Sequence, residues 1–165
     1  MALQEIRLVG DDVLRKKAKD IKKVNGSLRQ LLSEMAETMY ASSGIGLAAP
    51  QVGVSKRLLV ADVGDGLIEL INPEIIYHEG FQRGYEGCLS IPDLVGEVER
   101  AEKIRVSGWN RSGHPIWIEC DGLKARCLQH EIDHLNGVLF TDIALKVLPA
   151  EEYYQTAHSD EVVLD

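Results

Sequence analysis

The chain has 165 residues, 45% of them apolar and 27% charged, which is the balance of a globular protein large enough for one sizeable core. Its 18 basic and 26 acidic residues leave a formal charge of −8 and a pI near 5.1, which argues against a surface that coats nucleic acid. The N-terminus MALQEIRLVGDD mixes charges into its apolar residues and reads as neither signal nor transit peptide. No uninterrupted apolar run approaches the ~18 residues of a membrane span, and three cysteines make no disulfide framework, so a reducing cytoplasm is expected.

Residues 11–19, DDVLRKKAK, read as a short helix opened by an acidic cap. Residues 27–42 have a clear helical period. Leu28, Leu31, Leu32, Met35, Ala36 and Met39 share one face, Arg29, Glu34 and Glu37 fall outside it, Asn25 or Ser27 can cap the start, and Gly44 can end it. Short apolar runs bounded by turn residues follow at 57–63, 67–76, 103–109 and 115–120, with NRSG at 110–113 as a hairpin connection. Helical periodicity returns over 122–139. Strands grouped between helices predict an α+β fold rather than alternating βαβ units, in a single domain over 1–165. The segment from Pro149 is acidic and poor in apolar residues, and reads as a short, fraying helix that adds little to the core.

The C-terminal helix contains CLQHEIDHLNG at 127–137. A chain of this composition would spell H-E-x-x-H by chance about one time in a hundred, so the match alone is suggestive. On a helix, His130 and His134 lie four apart on one face and can reach one metal ion, while Glu131 borders that face. Leu123 and Cys127 extend the same stripe upstream. The helix is apolar on two sides, and burying its imidazoles and Glu131 without partners would be costly, a conflict that a metal or a polar cleft resolves. A third ligand is needed. Cys88, in YEGCLSIP at 85–92, offers a thiolate or else a buried structural thiol. GIGLAAPQ at 44–51 permits close backbone approach to a ligand, or else simply caps a helix.

GIGLAAPQ, EGCLS and QHEIDH, in this order and spacing, resemble the three signature motifs of bacterial peptide deformylases, and GDDVLRKKA and HLNGVLF fit the same family over roughly residues 5–145. The resemblance implies small antiparallel or mixed sheets packed around a central metal-binding helix. It implies that Cys88, His130 and His134 hold one divalent metal, with Fe2+ expected and Zn2+ or Ni2+ as replacements. Glu131 would be the general base and later the acid, with the Gln51 side-chain amide and the Leu89 backbone N–H as oxyanion donors. The reaction implied is hydrolysis of the formyl group from N-formylmethionine at the start of new polypeptides.

An extended substrate would lie along Gly44–Gly46 and residues 86–88, touching Gly44, Ile45, Gly46, Glu86 and Gly87. Ile45, Leu123 and Cys127 are candidates for the methionine pocket, from which Arg126 would have to turn away. The resemblance implies that Glu86 and Arg100 pair with each other, the alternative being exposed charges that contribute little, whereas Asp133 can support one of the histidines or be a solvated helix residue. Two competitors remain: a metalloprotease with a ligand downstream of His134, and a non-catalytic metal-binding module lacking part of the constellation. Expected partners are nascent formylated polypeptides, with ribosome association transient at most, no nucleic-acid binding of its own, no membrane, and a monomeric state.

Overall fold

The computed structural model describes residues 3–156 and 162–164. Its first long helix, α1 (Gly26–Ala41), starts where the Asn25 side chain accepts the Leu28 backbone N–H at 2.9 Å. Leu28, Leu32, Met35, Ala36 and Met39 are buried as the period predicts, and the Gly44 N–H closes the end on the Met39 carbonyl. The acidic cap at Asp11 also holds, but it opens only one 3₁₀ turn, Asp12–Arg15, rather than a helix to residue 19. Beyond Arg15 the backbone is drawn out straight, because the Ala18 N–H bonds to the Leu135 carbonyl and Lys19 pairs with Lys56.

The remaining elements, in chain order, are β1 (Gly46–Ala48), a 3₁₀ turn (Ala49–Val52), β2 (Leu58–Ala61), β3 (Ile68–Glu79), β4 (Gln82–Cys88), β5 (Ile91–Arg100), β6 (Lys103–Trp109), β7 (Pro115–Asp121), α2 (Gly122–Leu135), α3 (Phe140–Ile143), β8 (Lys146–Pro149), α4 (Ala150–Gln155) and β9 (Val162–Leu164). They form two sheets. The first, ordered β1-β2-β3-β6-β7, is antiparallel throughout. The second, β8-β5-β4-β9, is antiparallel except for β9, which runs parallel to β4.

β2 explains how the first sheet can be covered on both faces. Leu58 and Val60 pack against α1, together with Leu47 and Ile71. Leu59 and Ala61 point the other way, into a cluster with Ala125, Cys127, Leu128, Ile132 and Leu135 of α2. A strand buried on both faces needs a continuous apolar run, and LLVA is one. A third cluster, Leu14, Cys88, Ile91, Val98, Leu139 and Phe140, lies behind the second sheet.

α2 ends at Leu135, and Gly137 turns the chain away at φ 74°. A side chain there would put Cβ 2.6 Å from the Arg15 carbonyl oxygen, so only glycine lets the chain pass. The segment from Pro149 contributes more than its composition predicts. In α4 the Tyr153 ring is buried 4.8 Å from that of Tyr85, and β8 and β9 extend the second sheet. One well-placed aromatic ring anchors a short helix that is otherwise polar.

Candidate metal centre and active site

The rotation of α2 is fixed by its apolar faces. With Ala125, Cys127, Leu128, Ile132 and Leu135 in the core, His130 and His134 face the end of β4, whose last residue is Cys88. The three donor atoms all lie within 4.8 Å of one another. His134 Nε2 is 3.4 Å from Cys88 Sγ and 3.2 Å from His130 Nε2. A tetrahedral ion with bonds of about 2.0–2.3 Å needs donors roughly 3.3–3.8 Å apart, so this set fits one. All three residues are buried.

The other ring nitrogen of His130 sets its tautomer. Nδ1 lies 2.7 Å from Glu86 Oε1, so an N–H there leaves the Nε2 lone pair facing Cys88 and His134. Glu86 is fully buried and heavily engaged. It accepts Arg100 Nε at 2.9 Å, Arg100 Nη2 at 2.8 Å and Arg126 Nη1 at 2.7 Å. Burial alone would push the Glu86 carboxyl up, but the hydrogen bonds and charges of Arg100 and His130 outweigh it and hold the group far below the ordinary carboxylate range. Burial likewise pushes His130 down, yet hydrogen bonds and charge from Cys88 and Glu86 raise it to about 10. His134 is pushed well below its ordinary value by burial and then by the charges of His130 and Arg100. Cys88 and Glu86 therefore favour positive charge here, which a divalent cation would supply.

Glu131, one residue on from His130, is buried beside β1. A Cβ at Gly46 would meet its Oε2 at 2.5 Å and Cys127 Sγ at 2.9 Å, so the missing side chain is what lets the strand and the carboxylate share this space. Gln51 sits in the 3₁₀ turn after β1. Its Oε1 accepts the Ala48 N–H at 2.9 Å, which turns Nε2 to Ser90 Oγ at 3.2 Å and Cys88 Sγ at 3.6 Å. Leu89 follows Cys88 in the β4–β5 turn, its side chain against Gly44.

Cys127 Sγ lies 3.4 Å from the Ile45 carbonyl, which joins two of the expected pocket residues, whereas Leu123 stands 46% exposed at the start of α2. Gly87 is buried in β4. The Glu86 side chain faces inward to its arginines, so only its backbone is left to line a track along β4. Arg126 does turn aside, bonding Glu86 and the Val98 carbonyl. Asp133 pairs with Arg100 rather than with a histidine. The resemblance had implied the Glu86–Arg100 pair, but sequence reasoning missed that Arg126 and Asp133 join it in one hub, and missed the Ser90 contact to Gln51. The readable signal was Arg126 itself, a charge within a helix apolar on two sides.

A family model of polypeptide deformylases matches residues 3–148. A peptide deformylase of Thermoanaerobacter sp. (strain X514) is 54% identical over 158 residues, covering 96% of this chain and 95% of the relative. One from Symbiobacterium thermophilum is 53% identical over 165 residues, covering 98% and 76%. The crystal structure of peptide deformylase from Thermotoga maritima superposes with a TM-score of 0.87 at 45% identity, covering 88% of this chain and 100% of that one. A Synechococcus elongatus peptide deformylase in complex with actinonin gives 0.84 at 42%, covering 96% and 85%.

Proposed function

The chain belongs to the polypeptide deformylase family, and we propose that Cys88, His130 and His134 hold its one divalent metal while Glu131 carries the proton. It is a hydrolase that removes the formyl group from the N-terminal formylmethionine of new polypeptides, releasing formate. The observation that supports the residue assignment is the convergence of one thiol and two imidazole nitrogens, with the Gln51 amide 3.6 Å from the thiol.

When bound, the metal supplies a Lewis acid and lowers the pKa of water toward about 7. The protein's own residues do the rest. The Glu131 carboxylate takes a proton from the attacking water and delivers it to the departing nitrogen. Gln51 Nε2 and the Leu89 backbone N–H donate to the formyl oxygen as it gains negative charge. Ala48 and Ser90 hold the Gln51 amide in place beforehand, so it does not have to reorient during reaction. Glu86 fixes the His130 ring, and Arg100, Arg126 and Asp133 fix Glu86.

The substrate backbone lies extended between the β1 edge at Gly44–Gly46 and the β4 edge at Glu86–Gly87, an added strand in the gap between the two sheets. Its methionine side chain enters among Ile45, Leu123 and Cys127. The resident ion is Fe2+, which the family resemblance implies, while the softness of two imidazoles and a thiolate suits Zn2+; Zn2+ or Ni2+ can substitute. The enzyme acts as a cytoplasmic monomer, meeting nascent chains with no lasting hold on the ribosome. No helix among the described residues is long and apolar enough to cross a membrane.

Formate release from formyl-Met-Ala-Ser, run beside elemental analysis, tests the assignment. Glu131→Gln should keep the metal and lose nearly all turnover, whereas Cys88→Ala and His134→Ala should lose metal. Full occupancy in the last two would remove them from the ligand set.

A further inference from the structure

β4 has two edges, and the second sheet uses both. The inner edge pairs with β5 from Gln82↔Arg100 to Cys88↔Ile91. The outer edge carries β9, with Tyr85↔Val162, Glu86↔Val163 and Gly87↔Leu164 in parallel register. Glu86 and Gly87 are the β4 residues to which the proposed substrate track was assigned, and Cys88, a candidate metal ligand, comes next in the strand. The outward N–H and C=O groups of one edge can serve one added strand at a time.

We propose that β9 is an intramolecular occupant of the β4 edge that receives the substrate backbone, so that a formylated peptide binds only when β9 leaves. This rests on the substrate track proposed above. The tether favours such an arrangement. β9 starts at Val162 and α4 ends at Gln155, with Tyr153 anchored against Tyr85 of β4 itself. So short a link holds a strand near its edge at an effective concentration on the order of millimolar. The hold is also weak enough to yield. β9 has only three residues, and parallel pairing is slightly less stable per residue than antiparallel pairing. The device is selective, because a substrate with backbone beyond its methionine needs the edge and one without such backbone does not.

Val163→Pro in the full-length, metal-loaded enzyme removes a backbone N–H from the middle of β9 and leaves every residue assigned to the active site intact. Two measurements are paired. Amide hydrogen exchange over residues 85–87 should quicken in the variant. KM for formyl-Met-Ala-Ser should fall about 3–10-fold, as expected if the edge is open about 10–30% of the time, with kcat unchanged. KM for formyl-methionine, which has no following residues, should not move. Unchanged exchange would mean that β9 does not hold the edge, which overturns the proposal. Faster exchange with an unchanged tripeptide KM would mean that β9 holds an edge the substrate does not use. That also overturns it, and places the fault in the substrate track.

Discussion

Glu86→Gln is the sharpest test of the buried hub. The amide keeps the shape of the carboxylate but removes the charge that faces Arg100 at two contacts, Arg126 at one and His130 Nδ1 at one. Both guanidinium groups have side chains only 4% exposed, and Asp133 remains as a counter-charge to Arg100 alone. Breaking a buried ion pair from one side costs about 3–5 kcal/mol. In a single domain of this size that corresponds to a fall in Tm of about 6–20 °C. Loss of the carboxylate behind a metal-binding imidazole should also weaken metal affinity by about 10–100-fold. Urea unfolding of the metal-free protein reads the first effect, and competition with a chelator reads the second. The pH dependence has a definite sign. Glu86 is held far below the ordinary carboxylate range, so its contribution is full above that range, begins to shrink as pH enters it, and is lost only as pH falls through the group's own lowered value. The stability gap between wild type and variant, which cannot titrate there, should be full above about pH 5 and narrow below it. A loss under about 1 kcal/mol with unchanged metal affinity would refute the account of the hub.

Gly46→Ala should retain metal and fold but lose about 10²-fold in turnover, because the new methyl forces the Glu131 carboxylate or Cys127 to move; normal kcat would mean that the carboxylate does not work from this position. Tyr153→Ala should cost about 3–5 kcal/mol in chemical denaturation, as befits a buried aromatic, and a cost near zero would restore the view of the C-terminal segment as an appendage. Gln51→Leu should lower kcat by about 10²–10³, and unaltered kinetics would discard its amide as an oxyanion donor.

Four of the first sheet's five strands were legible because they obey local rules, whereas β1, inside the glycine-rich GIGLAAPQ, read as a helix cap and turn. β6 and β7 run over 103–109 and 115–121, close to the apolar runs on either side of NRSG, where Asn110 caps the turn through Ser112 and His114. α2 was legible for the same reason, since the i, i+4 spacing of His130 and His134 depends on no distant partner. The β4–β5 hairpin was not legible as strands. FQRGYEGCLSIPDLVGEVER carries glycines and charges that read as loop, and two of the charges, Glu86 and Arg100, are buried only because they meet each other and α2. That pairing is a tertiary fact. The resemblance suggested the Glu86–Arg100 partnership; Arg126, a charge within an apolar helix, was the one local hint of a larger hub, and nothing local marked Asp133 as part of it. The C-terminal segment misled through its average composition, since one tyrosine in the right place outweighs five acidic neighbours.

The positions of Cys88 and His134 also bear on how the two halves are fastened. Cys88 ends β4 in the second sheet, whereas His134 lies on the helix packed against the first, 46 residues further along the chain. An ion held by both would close a long loop, and closing a long loop restricts the unfolded chain more than closing a short one. The knot would be tied where the sheets meet, not inside either one. Stripping the ion should therefore leave each sheet's own hydrogen bonds in place and loosen the seam between them, along which the substrate track is proposed.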